Sequence, residues 1–133
     1  GWGMTDDFCA NILYKIIDRY PHETIKLLQK WNRSRNMWKR RASVVALTRG
    51  VGESGKYTGE CLCLCDNLLH DPEDLVQKGV GWALKDNLRG NKKRIMNYLK
   101  KLRRQGISSV ITLYAMRDLS GGDRTKLLKI SKQ

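Results

Sequence analysis

No apolar run in the 133-residue chain approaches the length of a membrane-spanning helix, which takes about 20 residues. Nothing at the N-terminus has the charged, apolar and small-residue order of a secretory signal. The opening GWGM, without an initiator methionine, reads as a fragment or a processed chain. A soluble, intracellular protein with no membrane association is the expectation. Strand-length alternation of apolar and polar residues is also missing, which removes the main signal for a β architecture. The cysteines, Cys9, Cys61, Cys63 and Cys65, are too few for a disulfide framework in a chain of this size. On a helix Cys61 and Cys65 point to one side and Cys63 to the other, so they do not converge on one ion. They read as reduced structural thiols, and no metal is expected. His22 and His70 fall at helix ends, where packing and hydrogen bonding explain them.

Acidic residues are scarce. Thirteen Asp and Glu stand against twenty-six Lys and Arg, leaving a net charge of +13 and a pI near 9.9. Such an excess favours a polyanionic partner, and nucleic acid fits better than an anionic membrane surface. The apolar content of 41% is ordinary for a globular chain and supplies one real core. A single domain over 1–133 is expected.

The stretch WNRSRNMWKRRASVVAL, 31–47, concentrates two tryptophans, five basic side chains and an apolar helix face. Asn36 is placed to cap a helix over 37–48, because its side-chain oxygen can accept from a free amide of the first turn. Trp38, Ala42 and Val45 form one apolar row, widened by Met37, Val44 and Leu47. Lys39, Arg40 and Arg41 crowd the first turns, where cations oppose the helix dipole. Something anionic should offset them, either a neighbouring carboxylate or a phosphate.

The other segments also read as helices. Thr5 caps one over 6–19 with Cys9, Leu13, Ile16 and Tyr20 as its apolar row. Pro21 opens the next, over 21–31, through Ile25, Leu27 and Leu28. The glycines of GVGESGKYTG make a loop, and 59–69 carries the clustered cysteines. Asp71 and Pro72 cap a long helix ending near Arg89, with Val76, Val80, Ala83, Leu84 and Leu88 on its buried side. On another stripe Lys78, Trp82, Lys85 and Arg89 recur at helical spacing. A tryptophan in a basic stripe is either a core-edge side chain covered by lysine stems or an aromatic surface facing a nucleotide. Asn91 caps NKKRIMNYLKKLRRQ, whose seven basic residues, Lys92 and Lys93 first, surround Ile95, Tyr98, Leu99 and Leu102. Ser108 or Ser109 opens a helix through Met116, and a last one covers 123–130 after the Gly121 and Gly122 break.

About eight helices in antiparallel pairs, with no strand, make an all-α protein with the pattern of an α-solenoid. No exact internal repeat is visible. A solenoid offers an extended binding surface, and at this charge a duplex is the expected guest.

Three segments, WGMTDDFC, WNRSRNMWKRRASVV and QKGVGWALKD, together resemble the DNA alkylation-repair glycosylases of the AlkC and AlkD type. The resemblance runs from Trp2 through Arg117 and corresponds to the C-terminal half of that architecture. It implies HEAT-like helix pairs in a right-handed superhelical stack, and removal of N3- or N7-alkylated purines from double-stranded DNA without metal or organic cofactor. Matched residue by residue, it assigns the catalytic site to Trp2, Asp6, Arg41 and Trp82. Gly3 stands where family members often carry an acid. The phosphate contacts fall to Lys39, Arg40, Arg41, Lys78, Lys85, Arg89, Lys92 and Lys93, and the place of action to the cytoplasm, at the nucleoid, or to the nucleus in a eukaryote.

These residue types suit that chemistry. An alkylated purine is already cationic and leaves with little acid help, so the sugar, which develops oxocarbenium character, is what needs stabilising. Asp6 can offset that charge and position or deprotonate a water. Trp2 and Trp82 can present π faces to the cation, and Arg41 can hold a phosphate or orient the carboxylate. Each has a simpler rival: acids are common in a first helical turn, and Arg41 can pair with a structural acid. A catalytically silent nucleic-acid-binding domain and a protein-interaction scaffold are the competing functions. Duplex affinity is expected to fall steeply with salt, and losing one phosphate-bound cation should lower the log–log slope by about 0.9. A titration between low and physiological salt checks this, and a flat response removes the nucleic-acid reading.

Overall fold

The computed structural model describes residues 12–132, within which nine helices and no strand occur. They are α1 (Tyr14–Ile17), α2 (Pro21–Asn32), α3 (Met37–Val45), α4 (Arg49–Glu53), α5 (Thr58–Asp66), α6 (Asp74–Gly90), α7 (Lys92–Gln105), α8 (Ser109–Ala115) and α9 (Gly121–Leu128). Consecutive helices pair as α2 with α3, α5 with α6 and α7 with α8. The second members then stack side by side as a row, α3 on α6 on α8, with α2, α5 and α7 as the other row. This is the layering of a helical-repeat solenoid.

Helix α6 is the hub, packing against α3, α4, α5, α7 and α8. Val76, Val80, Ala83 and Leu84 are fully buried along it, and each large one is worth about 1.5–3 kcal/mol of burial. Glycines let neighbours come close. A Cβ at Gly81 would stand 2.8 Å from the Tyr114 Cβ of α8, and one at Gly90 would stand 2.3 Å from the Gly52 carbonyl oxygen of α4.

Helix α3 begins as its sequence implies: the Asn36 side chain accepts from the Lys39 amide at 3.2 Å. It ends at Val45 rather than Thr48, and from Arg41 onward every residue to Thr48 is buried. This helix has no solvated face beyond its first turn because α2, α5 and α6 all pack on it. Helix α7 shows the opposite pattern. Ile95, Met96, Leu99 and Leu102 are buried, while Lys93, Arg94, Lys101 and Arg104 face solvent. It stops at Gly106 in the left-handed region, φ +69°, where the amides of Gly106 and Ile107 turn back to the carbonyls of Arg103 and Leu102. Arg103 and Arg104 in its last turn complement the dipole.

Polar ties cross between helices. Asn32 on α2 donates to Ser43 Oγ on α3 at 2.9 Å and to the Leu64 carbonyl on α5 at 3.0 Å, and accepts from Asn67 at 3.0 Å. Tyr98 on α7 donates to Asp66 at 2.7 Å, and burial followed by this hydrogen bond pushes its phenol well above the ordinary value. Tyr57 donates to Asp18 at 2.8 Å, and burial, then Asp18, pushes its pKa up to about 12. Both phenols therefore remain donors through neutral pH.

The structure differs from the sequence reading at several points. The segment read as a loop after α3 contains the short helix α4, held because the buried Asp86 carboxylate accepts from the Arg49 amide and Val51 packs into the core. Leu13 and Ile17, not Leu13, Ile16 and Tyr20, form the buried row of α1; Ile16 and Tyr20 are exposed. Cys9 and the N-terminal part of that expected helix lie outside the described residues. Leu27 is exposed, and Thr24 and Asn32 take buried positions on α2. Helix α6 starts at Asp74, because Asp71 makes a turn instead, accepting from the Glu73 amide at 3.0 Å. Helix α5 ends at Asp66, and α9 spans Gly121–Leu128 rather than 123–130. Cys61 and Cys65 are buried with their sulfurs 3.8 Å apart, and Cys63 is exposed.

Gly90→Ala should push α4 from α6, an overpacking that costs about 1–3 kcal/mol or more. A thermal melt checks this, and an unchanged midpoint would show that the contact yields without strain.

Candidate nucleic-acid interface

The row α3, α6 and α8 carries most of the candidate residues. Arg41 is 2% exposed. Its Nη1 donates to the Leu75 carbonyl at 2.6 Å, and its side chain runs along Gly79, where an added Cβ would lie 3.4 Å from Cγ and Nη1. Gly79 thus lies directly against the guanidinium as it passes between α3 and α6. Burial on this scale demands hydrogen-bonding partners, and it sets Arg41 beneath the surface rather than on it.

Trp82 follows Gly79 by one helical turn. Its indole is partly buried against the core edge. The cation on it is not a lysine: the Arg49 guanidinium lies 5.5 Å from the ring centroid, within cation–π range. Arg49 is the one non-glycine with positive φ among the described residues, at +54°. An arginine in the left-handed region is strained by about 1 kcal/mol or more. Asp86, 5% exposed and four residues beyond Trp82, holds it there through the Arg49 amide. Tyr114 continues the aromatic surface on α8, with Arg117 5.1 Å and Lys85 5.9 Å from its centroid.

The remaining cations divide by partner. Arg40 is committed to the protein: it meets Asp71 at 2.7 and 3.3 Å and donates to the carbonyls of Ser34 and Arg35. Asp71 is thus the carboxylate that offsets the crowded cations at the start of α3. Lys85, 13% exposed, sits 3.5 Å from Asp86 and 3.6 Å from Asp118. Arg89 pairs with Glu53 at 3.0 Å and Asp118 at 3.1 Å. Lys78 meets Asp74 at 2.8 Å and Lys92 meets Asp123 at 2.7 Å, all in exposed pairs. Exposed pairs of this kind are worth little and exchange readily for phosphates. Among the described residues no acid lies within ion-pair distance of the exposed Lys39 and Lys93.

Trp2 and Asp6 lie outside the described residues. Trp82 and the Lys78, Lys85, Arg89 stripe lie on α6, and Arg41 reaches it from α3 at Leu75 and Gly79; Lys92 and Lys93 belong to α7 in the other row. Sequence reasoning missed Arg49, Asp86, Tyr114 and Arg117. Asp86 had a signal, an acid one turn after the tryptophan of the basic stripe. Arg49 had none, because its place depends on a turn between helices. No group of His, Cys, Asp and Glu able to hold a metal occurs among the described residues.

The model of the DNA alkylation repair enzyme family matches residues 1–119. The chain belongs to this family. No curated protein matches it. For this DNA alkylation repair protein, DNA is the substrate class, and the matched span includes Trp2, Asp6, Arg41 and Trp82. Residues 120–133, with the whole of α9, lie beyond the match.

Arg49→Gly should remove the backbone strain and the cation over Trp82 together. The melting midpoint is expected to hold or rise, since relief of about 1 kcal/mol offsets the lost contact. A fall of several degrees would mean that the guanidinium stabilises the fold more than the left-handed backbone costs.

Proposed function

We propose that this DNA alkylation repair protein is a glycosylase, hydrolysing the N-glycosidic bond of N3- or N7-alkylated purines in double-stranded DNA. The observation that supports this most is the convergence on α6 of two residues matched from distant segments. The buried Arg41 guanidinium is bonded at Leu75 and packed at Gly79, and Trp82 stands one turn further on with its indole partly open.

In the proposed reaction the bond between the sugar C1′ and the base nitrogen breaks first, and the base departs with the electron pair, cancelling its own positive charge. The cationic sugar is then attacked by water at C1′, and the water proton passes to the Asp6 carboxylate or to solvent. Asp6 opposes the positive charge as it develops. Trp82 offers a π face to the lesion or the sugar, with Arg49 on the indole. Arg41, being buried, suits the orienting of an acidic group better than direct capture of a phosphate. Lys39 and the stripe of α6 supply backbone contacts. The reaction calls for no metal or organic cofactor. Its place is wherever cellular DNA lies, the cytoplasm at the nucleoid or the nucleus in a eukaryote.

Asp6→Asn tests this reading. It keeps shape and most hydrogen bonding but removes the charge, and losing one well-placed electrostatic stabiliser typically slows a reaction by about 10²-fold or more. Release of free 7-methylguanine or 3-methyladenine from methylated duplex should fall accordingly, with duplex affinity level or slightly higher. A helix-dipole role predicts lower stability with unchanged release. Parental release by the Asn variant would refute the mechanism, and no release by the parent would leave a binding-only member of the family.

A further inference from the structure

On the other row, a cleft of about 650 Å³ opens between α2, α5 and the start of α7, a size typical of small-molecule sites. Its wall carries three cations, Lys30, Arg33 and Arg94, and one acid, Glu60. These charges do not satisfy one another. Among the described residues no acid lies within ion-pair distance of the three cations, all of which are exposed. Glu60 has the complementary defect: its Oε2 is buried with no hydrogen-bond partner. A carboxylate oxygen cut off from both water and donors is costly, and since Glu60 lines the cleft and is only partly buried, a turn of its carboxylate toward a ligand N–H removes the cost.

The wall is also built. Gly59 leaves room for the Arg94 guanidinium against α5, where an added Cβ would stand 3.3 Å from Nη1. Asn67 and Asn32 lie on the lining, bonded to each other at 3.0 Å, and Ser43 behind them fixes Asn32 at 2.9 Å. An acceptor for an N–H, a set of cations for an anion, and a fixed amide pair on the lining describe a ligand with a donor at one end and an anion at the other. The net charge of these groups, +2, matches a phosphate monoester.

We propose that this cleft is a binding site for a small phosphorylated molecule bearing an N–H donor, of nucleoside-monophosphate size. It uses none of the candidate DNA contacts, although Lys92 and Lys93 share α7 with Arg94. Cys63, exposed on the wall, is a built-in reporter: among the described residues Cys61 and Cys65 are buried, and Cys9 falls in a different peptide.

AMP is the probe. It should bind in calorimetry and slow iodoacetamide labelling of Cys63, read by peptide mass mapping. Adenosine and ribose 5-phosphate, each lacking one end, should bind at least about tenfold more weakly. Arg94→Gln should weaken AMP by a similar factor, with Lys30→Gln as the second variant should the first melt early. Glu60→Ala, which removes the acceptor, should leave ribose 5-phosphate unchanged or tighter while erasing the advantage of AMP over it. The proposal is overturned if AMP fails to protect Cys63, if it binds no better than ribose 5-phosphate, or if duplex DNA protects Cys63 and AMP does not.

Discussion

How closely α6 can be approached decides the architecture. Five helices pack on this one, and a helix surrounded on several sides keeps its neighbours near only where its own side chains are small. Gly81 admits Tyr114 and Gly90 admits Gly52. The sequence QKGVGWALKD thus does two jobs within three turns. Its small residues set the spacing of the row, and its tryptophan and charges use the strip that remains open. The cation placed deepest, Arg41, is held between α3 and α6 with a bond to the Leu75 carbonyl.

The few acids are spent where the chain needs them. Asp71 neutralises Arg40 under partial burial, and Asp86 holds the Arg49 backbone while facing Lys85. Desolvated pairs resist exchange, so these belong to the folded state itself. Asp74, Asp118 and Asp123 face Lys78, Arg89 and Lys92 in water. Those carboxylates act as placeholders, because a polyanion arriving at the surface competes for the same cations on equal terms. The surface therefore stays ordered when empty and is not locked against a guest.

Periodicity made the helical class and the buried side of α6 and α7 legible, since both helices keep a polar face. On and just after α3 it named Ala42, Val44, Val45 and Leu47 but not the equally buried Arg41 and Ser43, and on α1 a Leu and Ile four apart outcompete the row through Tyr20. Helix α4 was invisible because its start is capped by an acid thirty-seven residues away. For the site, the residue matches named Arg41 and Trp82, and the structure sets both along α6. The depth of Arg41, and the arginine over the indole, arise from tertiary contacts that no local pattern encodes.

The buried amide seam between α2, α3 and α5 has a mechanical consequence. Apolar ridges slide past one another at small cost, because one methyl replaces another. Asn32 cannot slide: a shift of one turn would strand its amide in an apolar interior, at about 1–3 kcal/mol for each lost partner. The joint of these three helices is therefore stiff, pinned in register like a keyed shaft. The joint of α6 with α8 is made differently, by the close approach of Tyr114 to Gly81 and by the partly exposed ties of Lys85 and Arg89 to Asp118, which water and salt can loosen.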